Sequence, residues 1–265
     1  MEPGHGVMSV LDRFRLDGKV AIITGASSGL GVTFALALAE AGADLALGAR
    51  RVELLRDTQG KVAALGRRCV AVPTDVADPD DCERLVAAAR DELGDAHVLV
   101  NNAGVARVAP AHKDDPAEFA RVLQVNLTGA YQMAQAFGRA CIAAGHGGSI
   151  VNVSSVLGLV SADAPQAAYS ASKAGLLGMT RDLALQWTLR RGIRVNALVP
   201  GLIVTGMTAA IRANEQASAS ALASIPMRRL GDADELVGAL LLLASDAGSY
   251  MTGSALIVDG GWTAQ

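Results

Sequence analysis

The chain has 265 residues, of which 51% are hydrophobic and 18% are charged, and its formal net charge at pH 7 is −3. A slightly acidic balance with no basic block offers no positive surface to nucleic acid or to an anionic membrane, so neither partner is expected. The apolar runs are shorter than the ~20 residues of a transmembrane helix, and the length and apolar content suit one soluble domain with a sizeable core.

Residues 1–15 are predicted to form a flexible N-terminal extension, followed by a single domain over residues 16–265. The first residues are polar and lack the apolar stretch of a secretory signal. A cytoplasmic protein without a bound metal is expected, because the histidines lack ligand spacing and the cysteines are few and scattered. The cysteines are Cys69, Cys82 and Cys141.

Seven short apolar segments are predicted to be β-strands, at residues 20–24, 45–49, 69–72, 98–101, 150–154, 195–199 and 255–258. Ala-rich segments with helical periodicity separate them. Strands that are continuously apolar, rather than alternating, have both faces covered, as in a parallel sheet between two layers of helices. The sequence therefore predicts an α/β fold of the doubly wound Rossmann type, in which helices flank both faces of a seven-stranded parallel sheet.

A glycine-rich turn, Thr24-Gly25-Ala26-Ser27-Ser28-Gly29-Leu30-Gly31, follows the first predicted strand and opens a helical pattern. Glycines let such a turn close tightly and approach a pyrophosphate, whose charge the N–H groups of the next helix receive. In this position the turn indicates a dinucleotide site rather than a plain turn. The residues predicted to contact the cofactor here are Gly25, Ser27, Ser28, Gly29, Leu30 and Gly31.

The second predicted strand ends in Gly48-Ala49-Arg50-Arg51, where a fold that binds NAD usually holds an acidic residue for the ribose hydroxyls. A guanidinium matches the 2′-phosphate of NADP(H) instead. Arg50 is expected to carry most of this recognition, with Arg51 as a further contact and help from Ser27 and Ser28. NADP(H) is thus the preferred cofactor and NAD(H) a possible one; the alternative is that both arginines are solvated at a helix start.

Tyr169 and Lys173 stand four residues apart in Tyr169-Ser-Ala-Ser-Lys173, a spacing that places both side chains on one face of a helix. A fixed cation favours the phenolate, so Lys173 is expected to lower the pKa of Tyr169 and make it a usable proton carrier. The alternative is a packed tyrosine beside a solvated lysine.

Residues 205–226 interrupt the alternation of strands and helices before a helix that is predicted to start near Asp232. This segment contains the run Ala-Ser-Ala-Ser-Ala. It is predicted to be an insertion that forms a mobile substrate lid.

With these motifs in this order, the chain from about residue 16 to residue 262 resembles the short-chain dehydrogenase/reductase family, and within it the NADP(H)-dependent carbonyl reductases and 3-oxoacyl-carrier-protein reductase-like members. The resemblance implies a catalytic tetrad of Asn126, Ser155, Tyr169 and Lys173. It also implies further cofactor contacts from Asp75, Val76, Asn102, Ala103, Gly104, Tyr169, Lys173, Pro200, Gly201, Ile203 and Thr205.

In such a tetrad Tyr169 exchanges a proton with the substrate oxygen, and Lys173 tunes Tyr169 and holds the nicotinamide ribose. Ser155 stabilises charge on the substrate oxygen, whereas Ser154 is expected only to bond the backbone. Asn126 holds a water that links Lys173 to solvent, or it stabilises a helix kink.

The leading functional hypothesis is the reduction of an apolar ketone or of a 3-oxo ester or thioester, with Tyr169 as general acid. The candidate substrate-binding residues are Ser155, Val105, Val156, Leu157, Tyr169, Met207 and Ile211. One alternative is an NAD(P)-dependent alcohol, polyol or steroid dehydrogenase that works in the oxidative direction. An alternative of another class is a non-catalytic dinucleotide-binding regulatory protein, although all four tetrad positions are filled.

Two departures from the family pattern bear on partners. The stretch between Ser155 and Tyr169 is one residue longer than usual, which affects substrate fit. The helix end at residues 141–146 lacks the basic surface that an acidic carrier protein would need, so a carrier-bound substrate is doubtful. A homotetramer, or failing that a dimer, is expected, because the helix that carries Tyr169 is apolar on more than one face.

Overall fold

The structure is a computed structural model in which residues 9–264 are described. Within this range every predicted strand is present, and each begins and ends within two residues of its predicted bounds. The strands are β1 (Val20–Thr24), β2 (Asp44–Ala49), β3 (Cys69–Pro73), β4 (Ala96–Asn101), β5 (Gly148–Val153), β6 (Ile193–Pro200) and β7 (Ala255–Val258).

These strands form one sheet in the order β3-β2-β1-β4-β5-β6-β7, and every neighbouring pair is parallel. The chain builds outward from β1 to β3 and then returns to place β4 on the other side of β1. The order therefore reverses between β1 and β4, and in such sheets a ligand binds outside the carboxyl ends of the strands at this point. The predicted fold class is confirmed.

Helices connect the strands, and their bounds are α1 (Leu30–Glu40), α2 (Val52–Ala64), α3 (Pro79–Leu93), α4 (Pro116–Leu123), α5 (Gly129–Ala144), α6 (Ala167–Arg191), α7 (Ala209–Arg212), α8 (Glu215–Ala223) and α9 (Val237–Ala244). A π-helical segment, Gln124–Thr128, joins α4 to α5 without a break. Together α4, the π segment and α5 form one continuous helical element against α6.

The core has two halves, one on each face of the sheet. Phe34 of α1 and Leu240 of α9 pack on one face, while Leu85 of α3 packs on the other. Ile22 and Ile23 are neighbours in β1, point to opposite halves and are both fully buried. Because alternate residues of a strand face opposite sides, burial on both sides requires an unbroken apolar sequence.

The other predicted features are the N-terminal extension, the lid and the helix start near Asp232. Residues 1–8 of the predicted extension lie outside the described residues, and Leu11–Phe14 form a 3-10 turn without a buried side chain. The predicted lid, residues 205–226, contains the short helices α7 and α8. A 3-10 segment, Ala233–Leu236, begins after Asp232 with a capping box to Glu235 and leads directly into α9, so the predicted helix start is confirmed.

The described residues hold neither a metal-binding group nor a membrane span. Residues 9–264 contain no cluster of three or more metal-ligating side chains, and none of their helices is long and apolar enough to cross a bilayer. The cysteines are free thiols, and burial raises the pKa of Cys82 and of Cys141 to about 12. A thiol with so high a pKa is a poor nucleophile at neutral pH.

Candidate active site

The glycine-rich turn lies at the carboxyl end of β1, directly beside the point where the strand order reverses. Gly25 and Gly29 have positive φ angles of 69° and 57°, which glycine adopts without strain. A Cβ atom at Gly31 would lie 2.3 Å from the carbonyl oxygen of Gly25. Only glycine at these positions leaves the backbone free to form a cradle for phosphate at the start of α1.

The turn after β4 fixes this cradle from the other side. Asn102 donates from Nδ2 to the carbonyl oxygens of Thr24 (2.9 Å) and Gly25 (3.3 Å), and the Ala103 N–H donates to Thr24 Oγ1 (3.0 Å). Thr24 is buried and was not among the predicted site residues. The sequence places it in the glycine motif but does not show that its hydroxyl joins the two turns.

The two arginines after β2 point to different parts of the cleft. Arg51 donates from Nη2 to the hydroxyls of both Ser27 and Ser28 in the glycine turn. Arg50 lies with Nη1 4.0 Å from Asp75 Oδ2. Arg51 rather than Arg50 is therefore grouped with the two serines, which differs from the expectation that Arg50 dominates.

Further predicted cofactor positions lie at the carboxyl ends of β3 and β6. Thr205 lies opposite the glycine turn, since its Cβ is 3.9 Å from a Cβ atom built at Gly29. Val76 and Pro200 are buried at the carboxyl ends of the sheet, as is Ile203. Gly201 packs closely on Asp259, whose Cα would be 2.7 Å from a Cβ atom at Gly201. A cradle that only glycines can form, with a guanidinium at its rim, fits a phosphorylated dinucleotide.

Ser154 and Ser155 have different partners at the end of β5. Ser154 Oγ donates to the carbonyl oxygen of Lys173 at 2.8 Å and is committed to the backbone. Ser155 Oγ accepts from the Leu157 N–H at 3.2 Å, and its interaction with the phenol of Tyr169 works to lower the pKa of Tyr169. Gly158 lets this turn lie on α6, because a Cβ atom there would be 2.8 Å from the carbonyl carbon of Lys173. Sequence reasoning did not single out Gly158.

The electrostatics of Tyr169 differ from the sequence-based expectation. Burial raises the pKa of the phenol above its usual value, and the interaction with Ser155 opposes this only in part. Burial also lowers the pKa of Lys173 to about 8. Lys173 Nζ lies 5.6 Å from the centre of the Tyr169 ring and donates to the carbonyl oxygen of Val153 at 2.8 Å. Desolvation thus sets the direction of the shift, and the expected lowering of the pKa of Tyr169 is wrong for the protein alone.

Asn126 lies in the π-helical segment and is almost fully buried. Its amide accepts from the Val105 N–H (2.8 Å) and donates to the Val105 carbonyl (2.9 Å) and to Ser172 Oγ (3.0 Å). Ser172 Oγ in turn donates to the carbonyl oxygen of Tyr169 at 2.7 Å. Asn126 therefore ties the turn after Gly104 to the first turns of α6.

The predicted substrate-binding residues do not all lie on the surface of the cleft. Val156 is 1% exposed and packs among buried side chains such as Trp262, so it has no surface left for a substrate and belongs to the core. Leu157 is partly exposed and lines a cavity beside α6. Met207 and Ile211 lie in the predicted lid, where Met207 is exposed.

Three polar residues that the sequence did not single out line the same cavity as Leu157. They are Ser161, Gln166 and Ser170, and the last two lie three residues before and one residue after Tyr169 in the chain. The only sequence signal for them was the longer stretch between Ser155 and Tyr169.

The chain is similar to proteins of known activity over nearly its whole length. The family profile described as "Enoyl-(Acyl carrier protein) reductase" matches residues 25–263. The chain is 39% identical to 2-dehydro-3-deoxy-D-gluconate 5-dehydrogenase of Escherichia coli over 256 residues, which are 97% of this chain and 100% of the relative. It is 42% identical to galactitol 2-dehydrogenase (L-tagatose-forming) of Cereibacter sphaeroides over 255 residues, which are 94% and 97% of the two chains.

Among solved structures, a gluconate 5-dehydrogenase from Burkholderia cenocepacia in complex with NADP and tartrate is similar to this fold. The TM-score is 0.92 at 35% sequence identity, and the match covers 97% of this chain and 100% of that one. Sequence motifs, strand order and these matches agree over the full domain. The chain belongs to the short-chain dehydrogenase/reductase family.

Proposed function

We propose that the protein is an NADP(H)-dependent dehydrogenase that oxidises a secondary alcohol of a small polyhydroxylated compound, reversibly, with NAD(H) as a weaker cofactor. The observation that carries this proposal is that Tyr169, Ser155 and Lys173 lie together at the carboxyl ends of the strands, where the glycine cradle and Arg51 also lie. The names of the relatives, which act on a sugar acid or a polyol, favour the oxidative alternative over reduction of an apolar ketone or a 3-oxo ester.

The glycine cradle, Ser27, Ser28 and the two arginines would hold NADP(H), which when bound supplies or takes up a hydride at the carbinol carbon. Tyr169 accepts the hydroxyl proton of the alcohol in oxidation and returns it to the carbonyl oxygen in reduction. Ser155 hydrogen-bonds the same oxygen and stabilises its negative charge as the proton and hydride are exchanged.

Lys173 has the charge that Tyr169 needs when it becomes a phenolate. With a pKa of about 8, the ammonium group is mostly protonated at neutral pH although it is buried. Its attraction for a phenolate opposes the desolvation that raises the pKa of Tyr169. Asn126 is a positioning residue in this scheme, because it joins the turn at Val105 to α6 through Ser172.

A panel of substrates tests the proposal. We expect the purified protein with NADP⁺ to oxidise at least one alditol, sugar or sugar acid with a kcat/KM about tenfold or more above that of any monohydric alcohol. Reduction of an apolar ketone and of a 3-oxo thioester with NADPH provides the comparison. A preference for either carbonyl compound would overturn the proposal. Binding of NADPH with no turnover of any compound would support the regulatory alternative.

We also propose a cytoplasmic homotetramer, or failing that a dimer. The free thiols support the location, and the apolar surface of α6 supports assembly, since Leu185 and Leu189 are 84% and 93% exposed. A solution mass equal to the 27.1 kDa monomer would refute the assembly, and fractionation of cells tests the location.

A further inference from the structure

A cavity of about 270 Å³ lies at the start of α6, the helix that carries Tyr169, between the segment after β4 and the loop that joins β5 to α6. Its walls include Ala109 and Ala111 from the first segment and Leu157 from the second. The Ala109 N–H donates to the carbonyl oxygen of Pro165 at 3.0 Å, which ties the two walls together. Small side chains on both walls leave the space open.

Polar groups without partners face this space. Ser161, Gln166 and Ser170 line the cavity, and within residues 9–264 none of their side chains makes a hydrogen bond. Two hydroxyls and one amide both donate and accept. This combination matches a chain of hydroxyl groups, each of which also donates and accepts, better than it matches an ion, and the apolar remainder of the lining can contact the carbon chain.

The charge around the cavity is unfavourable for an anion. None of the residues that line it carries a charge. Asp163 stands between two of them in the chain, and its carboxylate accepts from Ser220 Oγ at 2.7 Å. Arg107, the arginine nearest in sequence to the Ala109 wall, is paired with Asp114 at 2.9 Å. Lys113 is exposed beyond Ala111 and does not line the cavity.

A carboxylate in this partly open space would meet no cation on the lining, and Asp163 adds a like charge to the same loop. Even a partial loss of water by an unpaired charge is unfavourable. A neutral hydroxylated chain loses only hydrogen bonds that Ser161, Gln166 and Ser170 replace.

We propose that this cavity is the subsite for the distal part of the substrate, and that it selects neutral polyols over sugar acids. The inference rests on the proposed function, because it specifies the substrate of the same active site. Tyr169 acts at the reacting alcohol, and Gln166 with the two serines binds hydroxyls farther along the carbon chain.

The first test compares an alditol with the aldonate of the same carbon chain, using NADP⁺ and the intact protein. The wild-type protein is expected to show a kcat/KM about tenfold or more higher for the alditol. Ala164→Arg places a cation on the cavity wall and should move the alditol-to-aldonate ratio by about tenfold toward the aldonate. Ala164→Gln, the matched neutral control, should leave the ratio near that of the wild type.

The second test uses Gln166→Leu. We expect KM for the alditol to rise about 3- to 10-fold, as for loss of one or two neutral hydrogen bonds, while kcat/KM for a monohydric secondary alcohol is unchanged. Equal effects on both substrates would assign Gln166 a structural role and overturn the subsite.

Different results would refute the selection of neutral polyols and the dehydrogenase function. If the wild-type protein oxidises aldonates better than alditols, the proposed function stands and the selection of neutral polyols is wrong. If it oxidises no alditol, sugar or sugar acid at all, the proposed function itself is wrong.

Discussion

Replacement of Tyr169 with phenylalanine is expected to lower kcat/KM for alcohol oxidation and for the reverse reduction by about 10²- to 10⁴-fold. The variant keeps the ring that packs beside Lys173, 5.6 Å from its Nζ, and removes only the hydroxyl that exchanges the proton. Binding of NADPH, measured by fluorescence titration, should change little, because the phosphate contacts of the cradle lie elsewhere and the variant removes a single hydroxyl from Tyr169, which is itself a predicted cofactor contact.

Two neighbouring serines provide the matched control. Ser155→Ala removes the hydroxyl that faces Tyr169, whereas Ser154→Ala removes one that is bonded to the carbonyl oxygen of Lys173. The first should therefore act mainly on kcat, with a smaller loss of thermal stability because Ser155 Oγ also accepts from the Leu157 N–H, and the second should act mainly on stability. If Tyr169→Phe keeps more than about a tenth of wild-type activity, Tyr169 does not carry the proton.

The fold could be predicted because its sequence signals are local and redundant. The continuous apolarity of Ile22 and Ile23 reflects burial on both faces of β1, and many short strands of this kind between helices are typical of parallel α/β folds. The helix start at Asp232 was equally predictable, because a capping box is contained within four residues. The predicted site residues were identified from local motifs of the same kind, in their order along the chain.

The directions of side chains could not be predicted in the same way. Arg50 and Arg51 are adjacent in sequence, yet only Arg51 reaches Ser27 and Ser28. Neighbouring residues at a helix start point in different directions, and sequence spacing does not tell which one faces a turn more than twenty residues away. The assignment of Val156 to the pocket failed for the same reason.

The pKa of Tyr169 and the cavity depend on packing between distant segments. Spacing placed the ammonium of Lys173 near the phenol, but the competing effect is desolvation, which depends on everything that covers the ring. The cavity likewise forms where the segment of Ala109 meets the loop of Pro165. The stretch between Ser155 and Tyr169, which is one residue longer than usual, was the only sequence feature that pointed to the cavity.

Loss of the arginines after β2 is expected to change cofactor preference. Arg50→Ala and Arg51→Ala should each lower kcat/KM with NADPH. The loss should be about 10- to 100-fold for the arginine that binds the 2′-phosphate directly. The double variant should show the largest loss. The values with NADH should stay near those of the wild type, since that cofactor has no phosphate there. Steady-state kinetics with both cofactors measure the ratio.

Arg56→Ala separates phosphate recognition from a general effect of charge. Arg56 lies on α2 close to both arginines, is paired with the exposed Glu53 at 3.1 Å and gives the same change in net charge. An equal loss of kcat/KM in Arg56→Ala, or an equal loss with NADH, would show that the arginines act only through the overall electrostatic field of the protein.

Among the single variants, a larger loss of kcat/KM in Arg51→Ala would follow from the contacts of Arg51 with Ser27 and Ser28. A larger loss in Arg50→Ala would mean that this side chain leaves Asp75 when the phosphate binds, because a dianionic phosphate attracts a guanidinium more strongly than one exposed carboxylate 4.0 Å away.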